Sequence, residues 1–416
     1  LAGTLPKQKL KQDLRIEERS MHCKLSYCAL FLRFFLLRLA QLSINNQAGV
    51  VNIMRTLMTP IVTVDLDILE NNIQEMGQFA AANGVALRPH IKTHKSSKIA
   101  KMQLAHGATG ITVATVREAE AMAAAGFDDI FIAYTVVGEN KLEMLARLSE
   151  TVRIGVAADS IYGVKMLSAV LGESDAEMDV MIEIDTGQHR CGVTSGADAV
   201  VLARLVEELP GLNFRGIMTH EGHSYGAQSP AEVEQIGRQA AATMRTIAAQ
   251  LTDAGFPPSV VSMGSTPTAH IVGKEAGVTE IRPGNYVFHD RTQLALGSAR
   301  LEQCALRVIA HVVSNPEPGR VVLDCGSKTL SSDLGKHGPG VKGYGLIIHK
   351  GRVLEEAVIE RLSEEHGVVT LSPDSNLAIG DVVEVIPNHA CVVANLAEMM
   401  AGVRKGRLAD WIPVES

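Results

Sequence analysis

From residue 59 onward the chain alternates between two hydrophobic periods. Short β-branched runs of four to seven residues are followed by stretches in which apolar residues recur three and four apart. The runs predict strands at Ile61–Leu66, Val85–Arg88, Gly110–Ala114, Asp129–Ala133, Val152–Ala157, Met178–Ile184, Phe214–Thr219, Ser259–Met263 and Glu280–Pro283. The stretches between them predict helices at Ile68–Ala82, Lys95–Ala105, Val116–Ala125, Asn140–Leu148, Ile161–Leu171, Ala197–Glu208 and Pro230–Ala254, two of them closed by Asn83-Gly84 and Gly126. Strands spaced by helices imply parallel βαβ units. About eight such units within residues 59–295 predict an α/β fold, a (β/α)8 TIM-like barrel, with a doubly wound open sheet as the alternative. The barrel is preferred because His90, Asp185, His220, Gly264 and Arg282 fall where predicted strands end, the face on which barrels carry their chemistry.

The pattern changes after Ala305. Runs at Leu306–Val313, Arg320–Leu323, Gly343–Ile348, Gly367–Leu371 and Asp381–Ile386, separated by turn residues with few helix signals, predict a second, all-β domain over residues 296–405. Neither internal repeats nor low-complexity linkers interrupt the chain.

Charge separates the first 55 residues from the rest. They hold nine Lys/Arg against three Asp/Glu, so the remainder carries −13 of a total net charge of −7. The apolar run 27–40 contains Arg33 and Arg38 and is shorter than the roughly 20 residues a membrane helix needs. A signal-peptide core, an interfacial helix and a targeting segment are the alternatives to the preferred reading, an appendage outside the fold with Met54 or Met58 as the natural start. Leu1 in place of Met fits a fragment, a processed product or a conceptual translation. With 46% apolar and 20% charged residues the composition is that of a globular protein, and a pI near 6.1 leaves no electrostatic footprint for nucleic acid. Six scattered cysteines point to free thiols in a reducing, cytoplasmic compartment.

Five segments carry candidate chemistry. Arg88-Pro89-His90-Ile91-Lys92-Thr93-His94-Lys95 ends a strand with two histidines and two lysines, either a solvated basic loop or the seat of a catalytic lysine. A Schiff-base lysine must be held rigidly and have its pKa lowered, an environment that Arg88, His90, His94 and Lys95 are placed to supply. The segment 183–193 (EIDTGQHRCGV) delivers charge from a strand into a Gly-bounded turn, which by itself is an ordinary strand-to-loop transition. Gly264-Ser265-Thr266-Pro267-Thr268 and Arg282-Pro283-Gly284-Asn285-Tyr286 are turns of common composition. Their backbone N–H groups and hydroxyls nonetheless suit a phosphate, and they fall in the last βα units, where barrels hold one. Pro387-Asn388-His389-Ala390-Cys391 sets imidazole and thiol two apart on a predicted extended chain, hence on one side. The pair suits zinc but is too small for a closed structural site, so a catalytic metal and a buried cysteine beside a structural histidine both stand.

Together these motifs resemble the fold-type III pyridoxal 5'-phosphate (PLP) enzymes, in the branch holding eukaryotic-type D-serine dehydratase, D-threonine aldolase and 3-hydroxy-D-aspartate aldolase. The resemblance spans about residues 59–400. It implies an alanine racemase-like PLP barrel followed by a D-serine dehydratase-like β-domain with a metal, and an opening strand that packs with that second domain. It further implies that Lys92, not Lys95, holds the cofactor, that Arg190 lies beside the ring and that His220 stacks on it. Gly264, Ser265 and Thr266 become the phosphate loop, and Arg282, Gly284, Asn285 and Tyr286 the loop near the ring nitrogen and phosphate. His389 and Cys391 become the metal ligands. Dehydratases of the family carry His-x-Cys with zinc, and aldolases His-x-Asp with Mn2+ or Mg2+. Cys391 therefore favours a D-serine dehydratase, with the aldolase as the alternative. The resemblance also implies a homodimer whose interface completes the site and a small D-amino acid substrate, with no nucleic acid or membrane partner. A non-catalytic PLP carrier is the alternative from outside enzymology, and it is disfavoured because such carriers lack the β-domain and the metal motif.

Overall fold

The computed structural model describes residues 57–172, 176–335 and 341–415, so the expectations for residues 1–55 fall outside the described residues. The first strand, β1 (Ile61–Asp65), leads into a helix at Leu66–Asn83. Asp65 caps that helix by accepting from the Asp67 and Ile68 amides, and Gly84 ends it at φ +66, a conformation glycine adopts without strain. Eight strands come next: β2 (Ala86–Leu87), β3 (Ile111–Val113), β4 (Asp129–Thr135), β5 (Arg153–Ala158), β6 (Met178–Glu183), β7 (Leu212–Met218), β8 (Val260–Met263) and β9 (Glu280–Ile281).

These eight pair in parallel, each with its neighbour in the chain, and β9 returns to pair with β2. Bridges from Leu87 to Ala108 and from His90 to Thr112 close the ring between β2 and β3. The result is the (β/α)8 barrel. Its strands are buried on both faces. Ile111, Val113, Ile130, Ile132, Val156 and Ile182 fill one, while the other combines the cluster Phe131, Ala157, Met181 and Met218 with buried polar residues such as Thr112, Ser262 and Glu280.

β1 is not a barrel strand. It runs antiparallel to β10 (Leu306–Glu317), with Ile61 opposite Ile309, and parallel to β17 (Met399–Arg404), with Thr63 opposite Ala401. The second domain is mostly β: β11 (Arg320–Leu323), β12 (Leu346–His349), β13 (Arg352–Val353), β14 (Val358–Leu362), β15 (Gly367–Thr370), β16 (Val382–Ile386) and β18 (Arg407–Pro413) complete it. One departure from an all-β reading bears on function. A helix at Ala390–Leu396 separates β16 from β17 and faces the barrel's 3-10 turn at Ile91–Thr93. Among the described residues no helix is long and apolar enough to cross a membrane.

Candidate active site

The carboxyl ends of the barrel strands open into a cavity of about 510 Å3 that the second domain helps to wall. Lys92 stands in it on the turn after β2, opposite His389 and Cys391 from the second domain. Solvent reaches the lysine from the cavity, yet protein surrounds it closely enough that burial, foremost, lowers its pKa. Cys391 and Glu118 oppose that shift, while Arg190 and Arg282 reinforce it.

The lysine's neighbours in sequence are not the ones that tune it. Arg88 turns to the far end of the barrel, where it pairs with Asp129 at 2.7 Å and Glu280 at 2.9 Å. His94 is fully buried, its Nδ1 accepting from the Ser96 amide at 3.0 Å and its Nε2 facing Gln103 Oε1 at 3.3 Å. Burial holds its pKa down to about 3, so it is neutral. Lys95 lies 3.5 Å from the buried Glu118 carboxylate, which offsets its charge. The chain leaves β2 at Leu87 and winds through the 3-10 turn Ile91–Thr93, and Lys95 follows at φ +46, so side chains that read as a cluster of cations in sequence reach different surroundings.

His90 and His220 also line the cavity, and burial, with Lys92 and Arg282 adding repulsion, holds both well below the ordinary imidazole range. Arg282 is buried after β9, donating to Ser262 Oγ at 2.5 Å and to the Thr219 carbonyl at 2.7 Å, with Nε left without a partner. After β8, Gly264 turns at φ +95 and Ser265 and Thr266 reach the cavity wall. The buried Glu221 carboxylate takes the Gly264 amide at 3.1 Å and the Ser265 amide at 3.0 Å, which shapes the loop from beneath. The Thr266 hydroxyl is buried at the wall beside the Tyr225 hydroxyl, two donors that a phosphate would engage. Gly284 is required beside it: a Cβ there would stand 2.8 Å from both the His90 carbonyl and Thr93 Oγ1. Asn285 is fixed by its amide on Asp290 at 2.5 Å.

Three implied cofactor residues lie elsewhere. Gly264 is off the cavity wall, its amide taken by Glu221 and its Cβ position facing Ile281 and Val272. Tyr286 is 1% exposed and off the cavity wall, its hydroxyl accepting from Gln103 Nε2 at 2.9 Å. The 3-10 turn at Asn285–Val287 sends Asn285 to the cavity and Tyr286 into the core. Arg190 is half exposed, 3.9 Å from Glu183, and acts on the cavity by charge without lining it.

His389 and Cys391 do converge on the cavity, but not along an extended chain. β16 ends at Ile386, His389 is the N-cap of the helix Ala390–Leu396, and Cys391 lies in its first turn. His389 Nδ1 meets Asp333 Oδ2 at 2.8 Å, which leaves Nε2 for another partner. Burial works against charge on this histidine, but Cys391, Asp333 and Asp290 outweigh it and push its pKa up to about 11. An environment that holds a proton so firmly also favours a metal cation, and a carboxylate behind a histidine is the usual means of orienting a metal ligand. Among the described residues no set of three or more His, Cys, Asp and Glu gathers into a metal cage. The pair therefore fits an open site whose remaining positions fall to water or substrate.

This arrangement has known counterparts. Residues 64–292 match the alanine racemase N-terminal domain and residues 305–403 the putative serine dehydratase domain. D-threonine aldolase of Arthrobacter is 33% identical over 85% of this chain and 90% of its own length. The chain belongs to the fold-type III PLP enzymes. Other members of the family are D-threo-3-hydroxyaspartate dehydratase of Delftia, 34% identical over 86% of this chain and 97% of its own, and D-serine dehydratase of Dictyostelium discoideum, 32% identical over 81% and 91%. The solved Delftia dehydratase superposes with a TM-score of 0.82 over 88% of this chain and all of its own, at 32% identity. A cysteine-to-alanine mutant of it is known in a metal-free form, with a TM-score of 0.80 over 87% of this chain and 98% of its own, at 32% identity. The relatives are PLP-dependent lyases, and PLP is the cofactor expected of this family.

Several cavity residues lie outside the candidate motifs. Glu118, Tyr225, Asp290 and Asn395 reach the wall from four separate segments. Glu118 alone was legible, as an acid three residues into a predicted helix after a threonine, and that pattern points only to capping.

Proposed function

We propose that this chain is a PLP- and zinc-dependent D-serine dehydratase that releases pyruvate and ammonia. The observation that carries the reading is the thiol of Cys391 paired with an oriented His389 across the cavity from Lys92. Thiolate and imidazole together prefer zinc to Mn2+ or Mg2+. The name of the Delftia relative as a dehydratase, with a metal-free form after loss of a cysteine, supports the same choice.

Lys92 would hold PLP, Thr266 and the backbone at Gly284 would receive its phosphate, and His220 and Arg282 would flank its ring. The cofactor, when bound, supplies an electron sink for the bond that breaks at Cα, and zinc on His389 and Cys391 supplies a Lewis acid for the β-hydroxyl. Lys92 Nζ, its pKa lowered, takes the Cα proton. His90 and His220 stay neutral and add no positive charge to that of Arg190 and Arg282 around that amine. The cavity's other lysine, Lys95, is engaged by Glu118, an arrangement suited to a substrate without a second carboxylate. The reading includes a homodimer.

Zinc-loaded protein given D-serine should yield pyruvate, lose that activity in EDTA and regain it with zinc. Glycine and an aldehyde as the products from β-hydroxy-D-amino acids would make it an aldolase instead.

A further inference from the structure

Asn395, on the last turn of the helix that carries Cys391, directs its amide at the turn that carries Lys92. Its Nδ2 lies 3.1 Å from the Lys92 carbonyl, 3.1 Å from the Thr93 carbonyl and 2.7 Å from the Cys391 carbonyl. Three acceptors around one amide nitrogen fix its orientation, since the amide oxygen could bond none of them. The turn's internal hydrogen bonds all run to Ile91, whose carbonyl takes the His94 amide at 3.0 Å and the Lys95 amide at 2.7 Å. The carbonyls of Lys92 and Thr93 are thus left to Asn395. A second link runs beside the first, from Cys391 Sγ to Thr93 Oγ1 at 3.3 Å.

We propose that Asn395 is a positioning residue that locks the Lys92 turn to the Cys391 helix, so that the amine and the thiol keep one mutual placement. The proposal rests on reading Lys92 as the cofactor lysine and Cys391 as the metal ligand. The two groups are about 300 residues apart in sequence and belong to different domains, and the turn and helix meet through this amide and the Thr93–Cys391 contact. An amide that joins both carriers makes occupancy at one site sensitive to geometry at the other.

Asn395→Leu removes the donor while keeping the branched four-heavy-atom shape, and Asn395→Asp turns an acceptor toward three carbonyls. Two signals report the two sites: the thiolate-to-cobalt absorption of the Co2+-substituted holoenzyme, and the pH titration of the visible absorbance of lysine-bound PLP. In both variants cobalt should bind about tenfold more weakly or worse, the range seen for outer partners of metal ligands. The midpoint of the cofactor titration should move in the same samples, while the thermal unfolding midpoint stays close to that of the parent. Unfolding that shifts with both signals intact would reduce Asn395 to a structural residue and overturn the proposal, as would parent values throughout. Asn395→Ser serves if the leucine variant is not recovered folded. Parent protein whose cobalt band survives Cys391→Ala, or whose visible absorbance survives Lys92→Ala, would remove the underlying reading itself. Both bands sensitive to those controls but indifferent to Asn395 would remove the coupling alone.

Discussion

Lys92 owes its lowered pKa to burial and to Arg190 and Arg282, residues about 100 and 190 positions away, and not to the basic residues beside it in the chain. If it holds PLP and moves the Cα proton, Lys92→Ala should abolish the visible absorbance of the bound cofactor and lower turnover by roughly 10^2–10^4-fold or more. An unchanged spectrum would move the cofactor to another lysine. Asp333 meets His389 from a loop with no recognisable motif, and Asp333→Ala should weaken zinc binding about 10–100-fold in a competition titration. Unchanged affinity would mean that His389 needs no orienting partner. At this scale the sequence was legible where a residue type is tied to a local motif. Lys92, Thr266, His389 and Cys391 all reach the cavity. Tyr286 and Arg190 do not line it, because a helical turn and an exposed loop aim their side chains in ways that a strand-end motif leaves open.

Buried histidines also give the fold a pH dependence. His289, like His94, is held by burial at a pKa of about 3, against about 6.5 in an unfolded chain. Below pH 6.5 the unfolded chain takes up protons that the folded one refuses. The stability these groups provide is thus present above that pH and lost as pH falls toward 3, by about 1.4 kcal/mol per unit for each histidine. Urea unfolding followed from pH 7 to pH 5 should show stability falling, and His289→Phe should reduce the slope by about one proton's worth. A slope unaltered by that substitution would show that His289 does not contribute to it.

At the level of elements, the barrel was the legible half. The strands and the long helices there are signalled by their own periods, and only short helices such as Ala269–Val272 and Arg291–Ala295 escape them. The second domain was harder for a physical reason. β17 reads Met-Met-Ala-Gly-Val-Arg, with no alternation and weak strand formers, and it exists because β1, more than 300 residues earlier, pairs with it. The helix Ala390–Leu396 was hidden in the same way, since Pro387 and Asn388 mark a break in the strand but not the type of the next element. The turn bearing Lys92 is wedged between that helix and Gly284. Gly284→Ala would drive a methyl group into the His90 carbonyl and Thr93 Oγ1. It should cost about 1–3 kcal/mol in stability and weaken PLP retention, both measurable by calorimetry and by dialysis. Retention equal to the parent's would show that the turn tolerates displacement.

For the whole molecule, function depends on joining two domains at one rim. The barrel supplies the amine, the hydroxyls of Ser265 and Thr266 and the buried guanidinium, while the second domain supplies imidazole and thiol. Neither half alone assembles the site, and the chain fastens them from both ends, with β1 in the second domain's sheet and Asn395 on the lysine's turn. The central claim, elimination of water in place of carbon–carbon cleavage, is tested most directly with D-threonine, a substrate on which both reactions are possible. Zinc-loaded holoenzyme is incubated with it, with and without EDTA, and 2-oxobutyrate is measured against glycine plus acetaldehyde. The account predicts 2-oxobutyrate that vanishes with EDTA and returns with zinc; glycine and acetaldehyde as the main products would contradict it.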